Sequence, residues 1–186
     1  SVWQNQMKGE IIMFKYNIRG ENIEVTEAIR NYAEKKLSKG LVEKILESGR
    51  LAPTAKNLQE QHIYVLESQE ALDKFDIETP CRYGAKTVIV VAFDKDNVYR
   101  YPGGQRDSGI EDASIVATHM MLAATDQGLN SCWINFLDPD KLAKALELPE
   151  NEEILMALDL GYAAEDAEPL ANHFSRKELS ETVSYL

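Results

Sequence analysis

A run of apolar, mostly β-branched residues in the middle of the chain constrains the fold more than any other feature. Thr87–Phe93 reads TVIVVAF and has no polar residue after its first position. A strand that is apolar on both faces must be covered on both, so it belongs in the centre of a sheet. The most apolar helical pattern, Ala113–Gln127, is predicted to lie in the core. The two segments together predict a sheet with helices packed against it.

Strand and helix patterns alternate along the rest of the chain. We predict strands at His62–Glu67, Ser131–Phe136 and Ile154–Leu160, and helices at Leu41–Ser48, Ala71–Phe75 and Pro139–Leu146. Gly49 is predicted to end the first of these helices, and Gly40 to bend the chain before it. No internal repeat, linker or low-complexity tract divides the 186 residues. One α+β domain is therefore expected.

Charge and cysteine usage exclude several classes of protein. The net charge of −11 argues against a nucleic-acid partner, because phosphate contacts need clustered Lys and Arg. A small anionic cofactor can still bind in a locally positive pocket. Cys81 and Cys132 lack the spacing of a zinc site or a disulfide framework, so free thiols in a cytoplasmic protein are predicted. The cysteine spacing therefore predicts no metal site. No apolar run has transmembrane length, and no secretion signal opens the chain, so a membrane is not expected either.

The strongest functional signal lies in Gly49–Gln59, which reads GRLAPTAKNLQ. A helix breaks there, and Thr54, Lys56 and Asn57 follow within four residues. An asparagine carries a donor and an acceptor at one tip, so it can pair with a ring edge of complementary pattern, such as the edge of a flavin. Taken alone, a loop that merely ends a helix explains the same residues.

This segment resembles the LAPSAxNxQP element of the nitroreductase family, which are FMN-dependent NAD(P)H oxidoreductases. The resemblance covers residues 41–186 and continues through four more stretches: RYGAKTVIVVAFDK (82–95), DASIVATHMMLAATDQGLNSCWINF (112–136), LDLGYAAEDAEP (158–169) and SRKELSETV (175–183). It implies a nitroreductase-like sheet flanked by helices in a domain-swapped homodimer. FMN would lie at the subunit interface, and the C-terminal segments would cross to the partner. The alternation of Leu179–Leu186 suits an added strand.

The resemblance also assigns cofactor-binding residues. Asn57 would face the edge of the flavin, supported by Thr54. The loop after the third strand, at Ile134 and Asn135, would offer backbone groups to the ring. Arg176 and Lys177 match a basic pair that reaches the FMN phosphate. No catalytic side chain is assigned, because the cofactor carries out the hydride transfer.

Three positions depart from the family pattern. Asn135 stands where relatives often have glycine, which would crowd the approach to the ring. Glu60 and Glu178 stand where the family has proline. Glu178 follows Arg176 and Lys177 directly, so the loss of proline there leaves the orientation of this basic pair open.

The N-terminal residues follow a different pattern. Residues 14–39 resemble the opening strand and first helix of the ribosome hibernation-promoting factors. The remaining strands and the basic surface of those factors are absent, so ribosome binding is not expected. We interpret residues 1–13 as an unstructured leader-like segment, 14–40 as the hibernation-factor-like part and 41–186 as the nitroreductase-like domain.

That junction would alter the phosphate site. Nitroreductases typically begin with an RRSxR element, and its register falls on Thr26–Tyr32, which reads TEAIRNY. Arg30 keeps one basic position, although a solvated arginine on a helix explains it equally well. Glu27 places a carboxylate where the family has a guanidinium. Two functions therefore remain open: an FMN-dependent oxidoreductase that reduces a nitroaromatic, a quinone or a similar acceptor, and a nitroreductase-like scaffold that has lost FMN and acts as a binding protein.

Overall fold

The computed structural model of the protein describes residues 36–163 and 172–186. Its centre is a four-stranded sheet formed by β1 (Gln61–Leu66), β2 (Thr87–Asp94), β3 (Asn130–Ile134) and β4 (Glu152–Gly161). The strands lie in the order β1-β2-β4-β3, and every neighbouring pair is antiparallel. With helices on both faces, this is the predicted α+β single domain.

The α-helices of the described residues are α1 (Lys39–Arg50), α2 (Gln69–Glu78), α3 (Gly109–Asp126), α4 (Pro139–Ala145) and the single turn α5 (Leu179–Thr182). The first four cover the two faces of the sheet in pairs. On one face α1 and α3 pack on one hydrophobic cluster, and on the other α2 and α4 pack on a second. Burying both faces in this way holds the strand ends in fixed positions.

The central position of β2 confirms the prediction made from its composition. Every residue from Thr87 to Phe93 is buried. Ile89, Val91 and Phe93 belong to one cluster, and Val88, Val90 and Ala92 belong to the other. Alternate side chains of a strand point to opposite faces, so one apolar run contributes to both cores.

The predicted breaks around α1 were wrong in position. The helix begins at Lys39, where the Ser38 side chain accepts the N–H of Leu41, so the break precedes Gly40. Gly49 lies inside the helix and is buried, and a Cβ built on it would lie 2.8 Å from Cγ of Met120. This glycine therefore allows α1 and α3 to pack closely, and does not end the helix.

The C-terminal strand prediction was also wrong for Leu179–Thr182, which forms α5. The Glu178 and Glu181 side chains each accept a backbone N–H at the start of this turn. Such a capping box stabilises a helical turn locally. All residues from 172 to 186 are exposed.

Asp159 is a carboxyl group inside the sheet. It lies on β4, its exposed fraction is 0%, and neither of its oxygens has a hydrogen-bond partner. Burial raises the pKa of Asp159 well above its usual range, and the Arg82 guanidinium opposes this only in part. The carboxyl is therefore expected to keep its proton to a higher pH than an exposed aspartate does.

No helix within the described residues is long and apolar enough to cross a membrane.

Candidate functional site

The turn from Thr54 to Gln59 has a strained backbone. Lys56, Asn57 and Gln59 have φ angles of 52°, 56° and 53°, although none of them is glycine. Residues with side chains rarely adopt this left-handed region, because the side chain approaches the backbone closely. Such a conformation persists only where surrounding contacts hold it, and it is enriched at binding sites.

Hydrogen bonds from three N–H groups hold the turn in this shape. The N–H of Ala55 donates to both carboxylate oxygens of Asp112 on α3, at 3.0 Å each. The hydroxyl oxygen of Thr54 accepts the N–H of Gln59 at 3.0 Å. The side-chain amide of Asn97 donates to the carbonyl of Leu58 at 3.2 Å. The turn is therefore fixed to α3 and to the loop after β2.

A pair of buried acids lies beneath the turn. Glu60 and Asp112 are only 3% and 4% exposed. The Ser108 hydroxyl donates to Oε1 of Glu60 at 3.1 Å, while Oε2 of Glu60 has no hydrogen-bond partner. Burial, followed by the neighbouring Asp112 carboxylate, raises the pKa of Glu60 to about 7. Sequence reasoning noted Glu60 only as a departure from the family and missed Asp112 altogether.

The structure leaves the predicted ring-edge residue available. Asn57 is exposed, and its side-chain amide has no hydrogen bond to another described residue. The hydroxyl of Thr54 is only partly exposed and can still donate its proton. Lys56 is not simply solvated, because its Nζ lies 4.8 Å from the centre of the Tyr99 ring. These positions match the roles predicted for the turn without testing them.

The second predicted contact region lies where β3 ends. Ile134 is buried, with 3% exposed, and Asn135 is exposed. The indole N–H of Trp133 donates to Oδ1 of Asn135 at 3.0 Å, so the asparagine side chain is held to its own strand. This hydrogen bond fixes the orientation of the Asn135 side chain.

The two regions do not meet. β3 ends at Ile134, which lies level with Tyr64 of β1 through the pairs Ile134–Ala157, Ala157–Val90 and Val90–Tyr64. β1 and β3 are the two edge strands of the sheet, so three strand spacings, about 14 Å, separate Ile134 from Tyr64. The turn lies beyond the start of β1 at Gln61, so it is not level with the end of β3. In the described part of the chain, no hydrogen bond joins Thr54 or Asn57 to Ile134 or Asn135.

The predicted phosphate residues do not contact the turn either. Arg176 and Lys177 lie on the exposed C-terminal segment. One Nη1 of Arg176 donates to the carbonyls of His173 at 2.9 Å and Ser175 at 2.7 Å. Arg30 and Glu27 lie outside the described residues.

A hairpin-like loop stands beside the turn. Arg100 and Asp107 pair across it, and the guanidinium of Arg106 lies 4.3 Å from the centre of the Tyr101 ring. The Tyr101 hydroxyl donates to Glu111 at the start of α3. These contacts order the loop, and the ring of Tyr99, just before it, lies against Lys56 of the turn.

The donor set suits a flavin mononucleotide when the residues are considered separately. An exposed amide with a free donor and acceptor fits the ring edge, and exposed cations fit the phosphate. No step of acid–base catalysis is required of these side chains, because a bound flavin supplies the redox chemistry.

Comparison with known proteins supplies the family. The sequence model of the nitroreductase family matches residues 23–82 and 77–162, which is most of the chain. The chain belongs to the nitroreductase family. A solved nitroreductase family protein from Clostridium difficile 630 is 38% identical, with a TM-score of 0.77, over 84% of this chain and 91% of that chain. The α+β fold is therefore nitroreductase-like.

A second relative comes from Archaeoglobus fulgidus and carries the provisional name NADH dehydrogenase/NAD(P)H nitroreductase. It is 29% identical over 147 residues, which cover 75% of this chain and 82% of the relative. A solved FMN-dependent nitroreductase from Clostridium difficile R20291 shares the fold at 24% identity, with a TM-score of 0.64, over 84% of this chain and 92% of that chain.

The comparisons also bear on the N-terminal segment. The nitroreductase match begins at residue 23, inside the range 14–39 that we assigned to a hibernation-factor-like strand and helix. No comparison supports that second resemblance.

Proposed function

We propose that this nitroreductase is an FMN-dependent oxidoreductase that takes hydride from NAD(P)H and reduces a nitroaromatic, a quinone or a similar acceptor. Family membership and the name of the archaeal relative support an oxidoreductase. The FMN-dependent nitroreductase with the same fold supports the choice of cofactor. The acceptor is inferred from the family resemblance alone.

The turn at Thr54–Gln59 is the observation that carries this proposal. It is held in a strained shape by buried groups and leaves the amide of Asn57 exposed and unpaired in the described ranges. A free loop would relax to an unstrained conformation, so the contacts that maintain this one favour a binding role.

Each candidate residue has a role that its position permits. Asn57 would pair with the flavin edge, and Thr54 would donate a hydrogen bond beside it. Backbone groups at Ile134 and Asn135 would approach the ring from the end of β3. Arg176, with Lys177 and Arg30, would bind the phosphate through charge-assisted hydrogen bonds. Bound FMN would accept hydride and pass electrons on.

We infer that two copies of the chain complete the site. The candidate residues that the structure describes do not meet within one copy, and the exposed C-terminal segment presents apolar side chains to solvent. Leu179 and Tyr185 are 69% and 92% exposed. Exposed apolar groups of this kind are typical of an interface, and a crossing segment would bring Arg176 to the partner.

The spectrum of the purified protein tests the proposed function. We expect flavin absorbance, or uptake of added FMN, together with oxidation of NADH or NADPH when a quinone or nitroaromatic is supplied. The control is the same assay with Asn57→Ala, in which an unpaired ring edge should weaken FMN binding about 10-fold. A colourless protein that takes up no FMN would favour the non-catalytic scaffold instead.

Sedimentation tests the proposed dimer. We expect a dimer at micromolar concentration for the whole chain, and dissociation when Leu179 and Tyr185 are both changed to serine, because the crossing segment would lose its apolar contacts. Ile77→Ser is the matched control, since Ile77 is 80% exposed on α2, away from this segment. A stable monomer of the whole chain would contradict both the dimer and a site completed by a second copy.

A further inference from the structure

The acids beneath the turn form an unusual arrangement. Both oxygens of Asp112 accept the same N–H, that of Ala55, and one oxygen of Glu60 accepts the Ser108 hydroxyl. The other oxygen of Glu60 is buried and has no partner. A buried oxygen without a partner is costly if it is charged, but a proton on it would make it a donor.

We propose that Glu60 and Asp112 share one proton, and that this proton holds the turn in the shape that presents Asn57 to the cofactor. Glu60, protonated on Oε2, donates to the Asp112 carboxylate. Asp112 accepts this hydrogen bond and keeps the Ala55 N–H. The part of this proposal that concerns the cofactor rests on the proposed function, and the part that concerns the turn does not.

No cationic side chain of the described residues neutralises the two acids, so we assign this role to a proton. No ion pair of the described residues includes Glu60 or Asp112. From the hairpin-like loop, Ser108 supplies only a hydroxyl. At the end of β2, the Asp94 carboxylate accepts the N–H of Asp96. From the turn itself, Lys56 lies over the Tyr99 ring.

Loss of the proton would place two carboxylates side by side in a buried site. Repulsion between them would be strong there, because little water screens it. The Asp112 side chain would then move away from Glu60. It would release the Ala55 N–H as it moved, so the turn would lose its main contact with α3. Its left-handed residues would relax toward ordinary backbone angles. Since the pKa of Glu60 is about 7, the change falls in the neutral range.

The first test is the pH dependence of FMN affinity. We expect the wild-type dissociation constant to rise about 10-fold between about pH 6 and about pH 8.5. Glu60→Gln should keep the tighter affinity at both values, because a glutamine amide donates to Asp112 at any pH. Glu150→Gln is the matched control, since it makes the same change on an exposed residue, and it should behave as wild type.

The second test needs no cofactor. The rate of hydrogen exchange at the Ala55 amide is measured on the wild type and on Glu60→Gln, both without FMN. The wild-type rate divided by the Glu60→Gln rate should rise about 10-fold over the same pH range. The ratio removes the ordinary acceleration of exchange by base. If neither protein binds FMN but the ratio rises, the proposed function fails and the shared proton stands. A constant ratio would overturn the shared proton, whatever happens to FMN.

Discussion

Replacing Arg176 with alanine should weaken FMN binding by roughly 30- to 150-fold, which is the usual effect of removing a charge-assisted contact. The N-terminal element TEAIRNY lacks the leading basic residues of the family pattern, so we expect the phosphate to depend more heavily on Arg176. Folding should be nearly unchanged, because this side chain is exposed and its hydrogen bonds to other described residues go to nearby carbonyls. Fluorescence quenching of FMN during titration measures the affinity.

Two other variants show whether the effect is specific. Arg50→Ala removes an arginine that is exposed and bonded to Glu47, and it should leave FMN affinity as in wild type. Glu27→Arg should strengthen binding, because it replaces a repulsive carboxylate with the cation that relatives have there. If Arg176→Ala and Glu27→Arg both leave the affinity unchanged, the phosphate has been assigned to the wrong residues.

Gly109→Ala should destabilise the protein by about 3 kcal/mol. A Cβ on Gly109 would lie 2.3 Å from Cε2 and 2.6 Å from Cδ2 of Phe93. The Phe93 ring is buried in the core, so it cannot swing into solvent, and the start of α3 must move instead. Asp112 lies in the first turn of that helix, so the candidate site would shift with it.

Chemical denaturation measures this loss of unfolding free energy. Gly161→Ala is the matched control, because a Cβ there would have no atom within 4 Å and the residue has no positive φ angle. We expect it to change the unfolding free energy by less than about 1 kcal/mol. If the two variants have the same unfolding free energy, α3 and β2 can separate enough to admit the methyl group without loss of stability, and the prediction is wrong.

Local composition was enough to predict the architecture, whereas one contact between distant residues and one local capping motif explain where prediction failed. TVIVVAF is apolar at every position after its threonine, so both faces of the strand are apolar and its central place in the sheet follows from its own sequence. Gly49 looks like a helix stop, because the contact with Met120 that explains it forms only when α1 and α3 pack. Leu179–Thr182 alternates like a strand, but the capping box decided the local structure.

The sequence indicated candidate binding residues but not the buried residues that support the turn. Thr54 and Asn57 were proposed because their chemistry suits a flavin edge and their motif resembles that of a family. The Glu60–Asp112 pair joins residues that are far apart in the sequence, so no local pattern could indicate it. The binding roles of all seven candidates remain predictions: Arg30, Thr54, Asn57, Ile134, Asn135, Arg176 and Lys177.

Asp159 makes the proton a reactant in the folding of this chain. An aspartate of the unfolded chain is ionised at neutral pH, whereas burial favours the protonated form in the folded sheet. Between the pKa of the unfolded chain and the raised pKa of the folded sheet, folding therefore takes up a proton at this position. Linkage then requires the contribution of Asp159 to stability to fall as the pH rises toward its raised pKa. Mildly acidic solution supplies that reactant, so it drives this carboxyl into the core.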